Sequence, residues 1–543
     1  MTKARNRRDW VTPALLTLSL HLLALTLFIN HKLFSMLEEP RVGGITLQVS
    51  ALAGQDPDDD VQDQDAGAAA GDASQSNPAQ TSVSEVLRET TAVVPAVLPV
   101  RDTTKPQTEP QPAPSDETKT ADSMTLAERL AQMRPAVGSS GGADGDFTPG
   151  GGSHGLRGQG RKGEGLRRNG GSGETEDAVE MGLAWLTGVQ DSDGRWDSDG
   201  FMSHYLPVSS AMDRGAEGMG NQRNDVGVTG LCLLAFTGAG YVHTGGRYAQ
   251  TVLHAKDYLL ANQRVGDGGF GLEKDPNRPD MYGHAIATLA LCDLYLQSGD
   301  NRLRTPVQRA LTCLLEVQGS GGGWDYGQRW PSERDSFKPS ARNDLSISGW
   351  AIMALVAGRE AGFEVPRENL QRIASMLKEA TLKDGEAVYA NQGVRADARG
   401  LAMVAVSNVS RRLLGEAADS TTQQRQRQLL ADKPPQWDKV GEALGGNEYC
   451  WYYGTIAMLL GRDAPGGDDR WRQWNASLKT ALLDHQCKAG ARKGSFDPVG
   501  HWARMGGGRL YMTAICVLNL EIYYRYEPEY LRVRASELDW LWK

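Results

Sequence analysis

Two kinds of apolar segment alternate along residues 175–527. One kind is amphipathic, with apolar residues on one face at helical spacing, as in a helix that packs on a core and also meets solvent. The other kind, with runs such as TGLCLLAF, HAIATLALC, SGWAIMALV and TAICVLNL, is apolar nearly all round and indicates buried helices. The alternation predicts helical hairpins, each with an outer and an inner helix.

Six inner helices start with the same short pattern, any residue followed by Gly or Ala. The Gly or Ala positions are separated by 55, 64, 51, 54 and 60 residues. Four positions before the first three patterns stand Asp225, Asp280 and Asp344, where a carboxylate suits helix capping. The six starting pairs are Thr229-Gly230, His284-Ala285, Ser348-Gly349, Arg399-Gly400, Tyr453-Gly454 and Thr513-Ala514.

Four amphipathic segments end in a second repeated pattern: Gln, a few residues, Gly, any residue and an aromatic residue. Gly takes the left-handed conformation after a last helical turn, and the Gln amide can satisfy backbone groups left open there. The pattern therefore predicts helix ends onto which the aromatic ring folds back. The four motifs are Gln190, Gly194 and Trp196; Gln263, Gly268 and Phe270; Gln318, Gly322 and Trp324; and Gln486, Gly494 and Phe496.

Six outer-plus-inner pairs predict an all-α fold, an (α/α)6 toroid of six helical hairpins over residues 174–530. The Gln motif resembles the repeat of squalene and hopene cyclases and of protein prenyltransferase β subunits. The runs MYGHAIATLALCDLY, ISGWAIMALVAG and GGRLYMTAICVLNLEIYYRY are similar to bacterial prenyltransferase/squalene-oxidase-repeat proteins. The resemblance implies the toroid fold, and residues 366–465 match it least. An activity has to be argued from the site itself.

The N-terminal segment is predicted to anchor the chain in a membrane. Residues 10–34 include about 19 largely apolar residues without a charge, enough to cross a hydrocarbon layer of ~30 Å. The basic residues 1–9 place the N-terminus in the cytoplasm and the toroid outside it, as a single-pass protein of a bacterial inner membrane. Residues 35–173, rich in Pro, Gly and acids, are predicted to be a disordered tether, and residues 531–543 a C-terminal tail.

Within the predicted anchor, Thr17 and His21 lie four residues apart on one helix face. An ionisable residue inside a membrane span indicates function. The pair, followed by the β-like run ITLQVS and a Pro-rich segment, resembles TonB-type energy-coupling anchors. The resemblance implies an envelope protein partner, and a histidine that serves only helix packing is the alternative.

The composition argues against nucleic-acid binding and against a zinc ribbon or a disulfide framework. A net charge of −9 over 543 residues gives no bulk attraction to phosphate, so no nucleic-acid partner is expected. The six cysteines are widely spaced, without a Cys-x-x-Cys pair, and four lie in apolar helical runs. They are expected to be small buried residues rather than a zinc ribbon or a disulfide framework.

The active-site signatures of the similar enzymes are missing or misplaced. Hopene cyclases use an Asp-x-Asp-Asp acid, and that string occurs at residues 56–59, inside the predicted tether. Prenyltransferases hold zinc with an Asp, a Cys two residues later and a His, and the matching positions are Glu448, Cys450 and Met512. Met512 does not replace an imidazole, so no metal and no cofactor are expected.

Side chains at the inner-helix starts should converge around one mouth of the toroid, towards which the helix N-terminal dipoles point. A histidine, several acids and clustered aromatic residues at such a mouth indicate a ligand site. Structural roles stay open for each of them: helix capping for the acids, a helix-start contact for the histidine and packing for the aromatic residues. The predicted ligand-binding residues are Asp225, His284, Asp344, Asp397, Trp451, Tyr453 and Tyr511.

Three functions fit this sequence. The first is a membrane-tethered, extracytoplasmic binding or scaffold module for an apolar, isoprenoid or peptide ligand, without the known cyclase or zinc prenyltransferase site. The second is a terpenoid cyclase-like or other lipid-modifying enzyme whose acid is Asp225, Asp344 or Asp397. The third is a TonB-like energy-coupled envelope protein. In the enzyme, the aromatic residues expected to stabilise cationic intermediates are Trp350, Trp451 and Tyr453.

Overall fold

The fold is taken from a computed structural model, which describes residues 157, 161–206, 215–271, 280–326, 340–393, 395–396, 398–437, 447–528 and 536–543. The predicted anchor with Thr17 and His21, residues 35–156 of the predicted tether and Asp397 lie outside the described residues. Among the residues described, no helix is long and apolar enough to cross a membrane. Regular structure in these ranges is helical, and β-structure there is limited to isolated bridges.

The α-helices of the described ranges are numbered here in chain order. They are α1 (Lys162–Asn169), α2 (Gly173–Gly188), α3 (Asp225–Gly238), α4 (Ala249–Ala261), α5 (Met281–Ser298), α6 (Arg304–Glu316), α7 (Leu345–Glu360), α8 (Arg367–Ala380), α9 (Leu401–Leu413), α10 (Thr421–Ala431), α11 (Glu448–Leu460), α12 (Gly467–Leu483), α13 (His501–Gly506), α14 (Gly508–Leu520) and α15 (Ile522–Arg525).

Six helices form a closed inner ring. Helix α3 contacts α5, the contacts continue through α7, α9 and α11 to α14, and α14 contacts α3. The even-numbered helices from α2 to α12 pack against this ring from outside, and α12 contacts α2. The arrangement agrees with the predicted (α/α)6 toroid.

Burial follows the apolar pattern of the sequence. Every residue of α3, α11 and α14 is buried. Outer helix α8, in contrast, buries Leu370, Ile373 and Leu377 on one face and exposes polar residues on the other. Because full burial of one such side chain contributes about 1.5–3 kcal/mol, the inner ring and the facing sides of the outer helices form the core.

The four Gln motifs join neighbouring outer helices. Gln190 Nε2 donates to Gly194 O at 2.9 Å in its own loop and to Thr251 O at 3.1 Å on α4. Gly194 has φ 93°, and a Cβ atom there would lie 2.2 Å from His254 O, so this approach requires glycine. The other motifs bridge in the same way, through the pairs Gln263–Pro306, Gln318–Asn369 and Gln486–Ala178. The last pair connects the sixth hairpin to the first.

A second contact ties each motif to the inner helix that follows. The main-chain N–H of the aromatic residue donates to a side chain in the first turns of that helix. The pairs are Trp196 N to Thr229 Oγ1 (3.0 Å), Phe270 N to His284 Nδ1 (3.2 Å), Trp324 N to Ser348 Oγ (3.0 Å) and Phe496 N to Thr513 Oγ1 (3.1 Å). His284 therefore occupies the position that Thr229, Ser348 and Thr513 occupy in the other three hairpins with a Gln motif.

The packed region starts before the predicted boundary at residue 174. Helix α1 contacts α15, and Arg157 is 3% exposed. Arg157 Nη1 lies 2.7 Å from Asp293 Oδ1 on α5, and the guanidinium also donates to Thr237 O and Arg525 O. This part of the predicted tether packs on the ring, and the buried ion pair that it forms leaves no apolar period in the sequence.

Residues 536–543 of the predicted C-terminal tail also pack on the ring. Leu541 is 5% exposed, and the Trp542 indole donates to Leu414 O at 2.8 Å. Lys378 of α8 donates to Leu541 O at 2.9 Å. The end of the chain is thus part of the fold.

Candidate functional site

Asp344 precedes α7 and is completely buried. Its Oδ1 atom accepts hydrogen bonds from Ser346 N (3.0 Å), Ser346 Oγ (2.5 Å) and Ile347 N (3.2 Å), so it caps the helix. Its Oδ2 atom accepts no hydrogen bond of ordinary geometry, and Arg342 Nη2 lies 3.6 Å from it. Burial raises the pKa of Asp344 to about 6, although Ser346 and Arg342 act in the opposite direction.

Three tyrosines connect this acid to the edge of the ring. The Tyr282 hydroxyl of α5 shares a short hydrogen bond with Ser346 Oγ. Tyr326 Oη lies 3.4 Å from Tyr282 Oη and 3.2 Å from Tyr389 Oη. Tyr282 is buried, whereas Tyr326 and Tyr389 are partly exposed. Residues Asp344, Ser346, Tyr282, Tyr326 and Tyr389 are called the Asp344 cluster.

Aromatic side chains of α7 and α11 meet next to this cluster. Trp350 stacks on Tyr452 with 5.3 Å between ring centroids and lies edge-on to Tyr453 at 5.6 Å. Tyr449 lies 5.1 Å from Tyr453, and its hydroxyl donates to Ser346 O at 2.8 Å. Because α9 separates α7 from α11 in the ring, these contacts lie on its inner side. Trp350, Tyr449, Tyr452 and Tyr453 are called the aromatic cluster.

Three polar atoms of the aromatic cluster have no hydrogen bond of ordinary geometry: Trp350 Nε1, Tyr452 Oη and Tyr453 Oη. Each of these side chains is at most 1% exposed. A buried polar atom without a partner costs about 1–3 kcal/mol. Packing alone would favour Phe or Leu here, so the indole and the hydroxyls need another explanation.

Glu448, in the first turn of α11, is a second buried acid. It is 1% exposed, and burial raises its pKa to about 7. The Tyr511 hydroxyl of α14 lies close enough to lower that pKa, yet Glu448 Oε1 has no hydrogen bond of ordinary geometry. Like Asp344, Glu448 is therefore a buried carboxyl group of the ring whose pKa is raised towards neutral pH.

The positions that bind zinc in prenyltransferases do not fit a zinc ion here. Burial raises the pKa of Cys450 to about 12, so its thiol stays protonated at neutral pH. Met512 is completely buried and offers only a thioether, a weak ligand. Glu448 alone does not hold the metal.

Asp225 is the first residue of α3, and its side chain does not cap that helix. The N-cap position belongs to Asn224, and Asp225 Oδ1 instead accepts from Ser198 N and Ser198 Oγ, both at 2.9 Å. Burial raises the pKa of Asp225 to about 7. Its carboxylate thus belongs with the loop after Trp196.

The predicted ligand residues fall into separate groups. Asp344 and Tyr453 belong to the two connected clusters, and Tyr511 adjoins Glu448. Trp451 lies 6.3 Å from the ring of Trp437. His284 is held by the Phe270 main chain, where burial lowers its pKa to about 4.

Sequence reasoning missed the tyrosines of the Asp344 cluster. A signal existed for Tyr282, which follows Asp280 by two positions just as Ser346 follows Asp344. Tyr326 likewise follows the motif residue Trp324 by two positions. Tyr389 has no comparable mark, because it comes from a hairpin that lacks the Gln motif.

No protein-family model matches the chain, and no curated protein matches it in sequence. Among solved structures, the chain is similar to an inactive variant of the alpha-1,6-mannanase GH76A of Salegentibacter sp. HEL1_6, with 12% identity, a TM-score of 0.43 and coverage of 65% of this chain and 99% of that one. It is also similar to the type II terpene cyclase MstE from Scytonema, with 12% identity, a TM-score of 0.42 and coverage of 67% and 98%. An alpha-amylase from Clostridium perfringens matches with 10% identity, a TM-score of 0.42 and coverage of 64% and 98%. Similarities of this size do not indicate a function for this chain.

Proposed function

We propose that the ring binds an apolar ligand of isoprenoid type on the inner side of α7 and α11. The support is the polar atoms of the aromatic cluster that have no hydrogen bond of ordinary geometry. Trp350 Nε1 is the main one, because the hydroxyls of Tyr453 and Tyr452 interact with those of Tyr449 and Tyr526. Indole and phenol rings offer apolar faces to a prenyl chain, and their N–H and O–H groups bind an oxygen function on it. A ligand packed against these rings would supply a partner for the Trp350 N–H.

The rim near Tyr389 is the proposed entrance. Tyr326 and Tyr389 are partly exposed, and the Arg395 guanidinium lies 6.0 Å from the Tyr389 ring and 5.8 Å from the Trp502 ring. Arg395 has φ 60° and is the single non-glycine residue with positive φ in the part of the chain that the structure describes. Because backbone strain of this kind concentrates at functional sites, it supports an entrance here.

The test is organic extraction and mass spectrometry of the purified full-length chain. We expect a co-purifying prenyl lipid, and we expect Trp350→Phe to retain less of it, because the ring remains while the N–H is lost. Trp471→Phe is the matched control, since the Trp471 indole donates to Asn169 O at 3.1 Å and should matter for stability only. Absence of prenyl lipid from the wild-type chain, or equal retention by both variants, would contradict the proposal.

A second candidate, an acid-catalysed lipid-modifying enzyme, is favoured by the uneven hydrogen bonding of Asp344. Three donors bind Oδ1 with ordinary geometry and none binds Oδ2 in this way. The Tyr389 hydroxyl and Arg342 Nη2, 3.6 Å from Oδ2, also act on the carboxylate, and a proton held by Asp344 would lie on Oδ2. Protonation of an alkene carbon by Asp344 leaves a cation, which the faces of Trp350 and Tyr453 would stabilise until it loses a proton from a neighbouring carbon to water. The hydroxyl chain through Tyr282 and Tyr326 would return a proton from solvent.

Deuterium labelling tests this candidate without knowledge of the product. The full-length chain is incubated in D2O with squalene or farnesol as probes, and the recovered lipid is analysed for deuterium bound to carbon. We expect incorporation by the wild-type chain and none by Asp344→Asn. Failure of the wild-type chain to incorporate deuterium would remove the enzyme candidate and leave the binding proposal to its own test.

The predicted anchor bears on the cellular location of this function. We propose that residues 10–34 hold the ring outside the inner membrane, beside a supply of prenyl lipid, with Thr17 and His21 available for an envelope protein partner. Alkaline extraction of membranes should leave the full-length chain in the membrane fraction and release a chain that lacks residues 1–34. Release of the full-length chain would rule out the anchor.

A further inference from the structure

We propose that Asp197, Asp199 and Asp225 form a binding site for a divalent cation such as Ca²⁺. One carboxylate oxygen from each residue lies within 4.8 Å of those of the other two. Asp197 and Asp199 follow the first Gln motif, whereas Asp225 starts α3. Ca²⁺ takes carboxylate oxygens at about 2.3–2.6 Å, so a group of this size can close around it. The site does not involve Cys450 or Met512, on which the expectation of no metal rested.

Asp225 points to a bound cation independently of the two loop residues. It is 1% exposed, and both donors that reach it, Ser198 N and Ser198 Oγ, bind its Oδ1 atom. Its Oδ2 atom accepts no hydrogen bond, and the nearest cationic atom, Arg195 Nη1, is 3.8 Å away. A bound cation would give this buried oxygen a partner when the carboxylate is ionised.

Arg195 cannot supply that charge alone. Its guanidinium lies 3.2 Å from Asp197, 3.1 Å from Asp191 and 3.7 Å from Asp193, so one positive charge is shared among several carboxylates. A divalent ion would balance the remaining negative charge of these carboxylates.

Two other hairpins have a cationic side chain next to the positions equivalent to Asp197 and Asp225. The aromatic residue of the Gln motif is followed by an acid in three hairpins, at Asp197, Asp325 and Asp497. In the third hairpin, Arg342 pairs with Asp325 and lies 3.6 Å from Asp344, which is equivalent to Asp225.

In the sixth hairpin, the position equivalent to Asp225 is itself a cation, Arg509, and it pairs with Asp497. In the first hairpin, Arg195 takes the corresponding place between Asp197 and Asp225, but a third acid, Asp199, lies close to both. One arginine there faces one acid more than in the third hairpin, and we infer a bound ion in the first.

The experiment titrates the full-length chain, stripped with EDTA, with Ca²⁺ by calorimetry and with Tb³⁺ by luminescence excited through tryptophan, since Trp196 adjoins Asp197. We expect a saturable Tb³⁺ signal that Ca²⁺ displaces. Asp199→Asn, at an exposed position that should not affect folding, should weaken binding about tenfold or more. Asp193→Asn is the matched control, because Asp193 is in the same loop, 53% exposed, and outside the three ligands.

Absence of saturable Ca²⁺ binding by the wild-type chain would overturn the proposal, and so would equal weakening by Asp193→Asn and Asp199→Asn. The variant Arg195→Gln provides a second test of the site. If Ca²⁺ is the resident cation, removal of the competing guanidinium should strengthen Ca²⁺ binding, and Ca²⁺ should raise the melting temperature of this variant. If Arg195 is the sole cation of the loop, the variant should melt lower and Ca²⁺ should not restore it, which would contradict the site.

Discussion

The main-chain N–H of Phe270 donates a hydrogen bond of 3.2 Å to Nδ1 of His284. In three other hairpins the equivalent bond ends on a hydroxyl of Thr229, Ser348 or Thr513. Nδ1 accepts a hydrogen bond only when it carries no proton, and burial lowers the pKa of His284 to about 4. The histidine is thus a neutral connector between an outer helix end and an inner helix start.

This role predicts which substitutions at His284 are tolerated. His284→Thr keeps an acceptor of the type used by the other hairpins, so we expect only a small loss of stability. His284→Leu leaves the Phe270 N–H buried without a partner, which should cost about 1–3 kcal/mol. Urea unfolding of both variants measures the difference, and equal losses would contradict the connecting role.

The lowered pKa of His284 also predicts a pH dependence. The pKa of the imidazole is 6.5 in the unfolded chain and about 4 in the fold. The contribution of neutral His284 to the stability of the fold is therefore fully present above pH 6.5 and is lost as the pH falls towards 4. His284→Thr removes this effect. Unfolding measured at pH 7.5 and pH 4.5 should therefore show a smaller acid loss for the variant than for the wild-type chain.

Closure of the ring depends on Gly494 in the last Gln motif. Its φ is 94°, and a Cβ atom would lie 2.0 Å from Met181 O of α2. Gly494→Ala should therefore lower the free energy of unfolding by about 2 kcal/mol or more. Gly490→Ala is the control, because Gly490 also has positive φ, 68°, but has open space around it. A similar melting temperature for both variants would show that the close approach is unimportant.

Asp344 should destabilise the fold as the pH rises. Its pKa is raised from 3.8 to about 6, so between these values the unfolded chain releases the proton first and gains stability relative to the fold. Asn at this position keeps a capping oxygen but carries no charge. The free energy of unfolding of Asp344→Asn, taken relative to that of the wild-type chain, should therefore be higher at pH 7.5 than at pH 4. Urea unfolding of both chains at both pH values measures this difference. A pH-independent difference would mean that Asp344 titrates normally.

The Arg157–Asp293 pair should be essential to the fold. Burial raises the pKa of Asp293, but the charges of Arg157 and Arg525 outweigh it and hold that pKa below its usual value. Arg157→Met leaves a buried carboxylate short of positive charge, at a cost of about 3 kcal/mol or more. Arg168→Met is the control: its pair with Glu527 is exposed on the arginine side, and its loss should cost less than about 1 kcal/mol. Thermal unfolding should rank the two variants in this order.

The helices were predictable because the pattern that marks each of them lies within one short segment: a periodic apolar face in the outer helices and a nearly continuous apolar run in the inner helices. The Gln motifs were predictable for a similar reason, since Gln190, Gly194 and Trp196 act on the helix end that carries them. The resulting order of outer and inner helices agrees with the structure from α2 to α14.

The contacts that build the candidate site could not be predicted in this way. Tyr282 and Ser346 are 64 positions apart and meet only because α5 and α7 are neighbours in the ring. Arg157 reaches Asp293 across 136 positions from a segment whose Gly-rich composition predicted disorder. Pairings of this kind depend on the three-dimensional arrangement, and a single sequence contains no period that marks them.

The hydrogen bond from Gln486 to Ala178 spans 308 positions of the chain. A linear stack of hairpins could complete its core one unit at a time as each left the ribosome. In a closed ring, the first hairpin has an uncovered apolar side until the sixth has been synthesised, and long-range closure of this kind is slow. The core of the first hairpin is therefore completed only after the C-terminal helices have been synthesised.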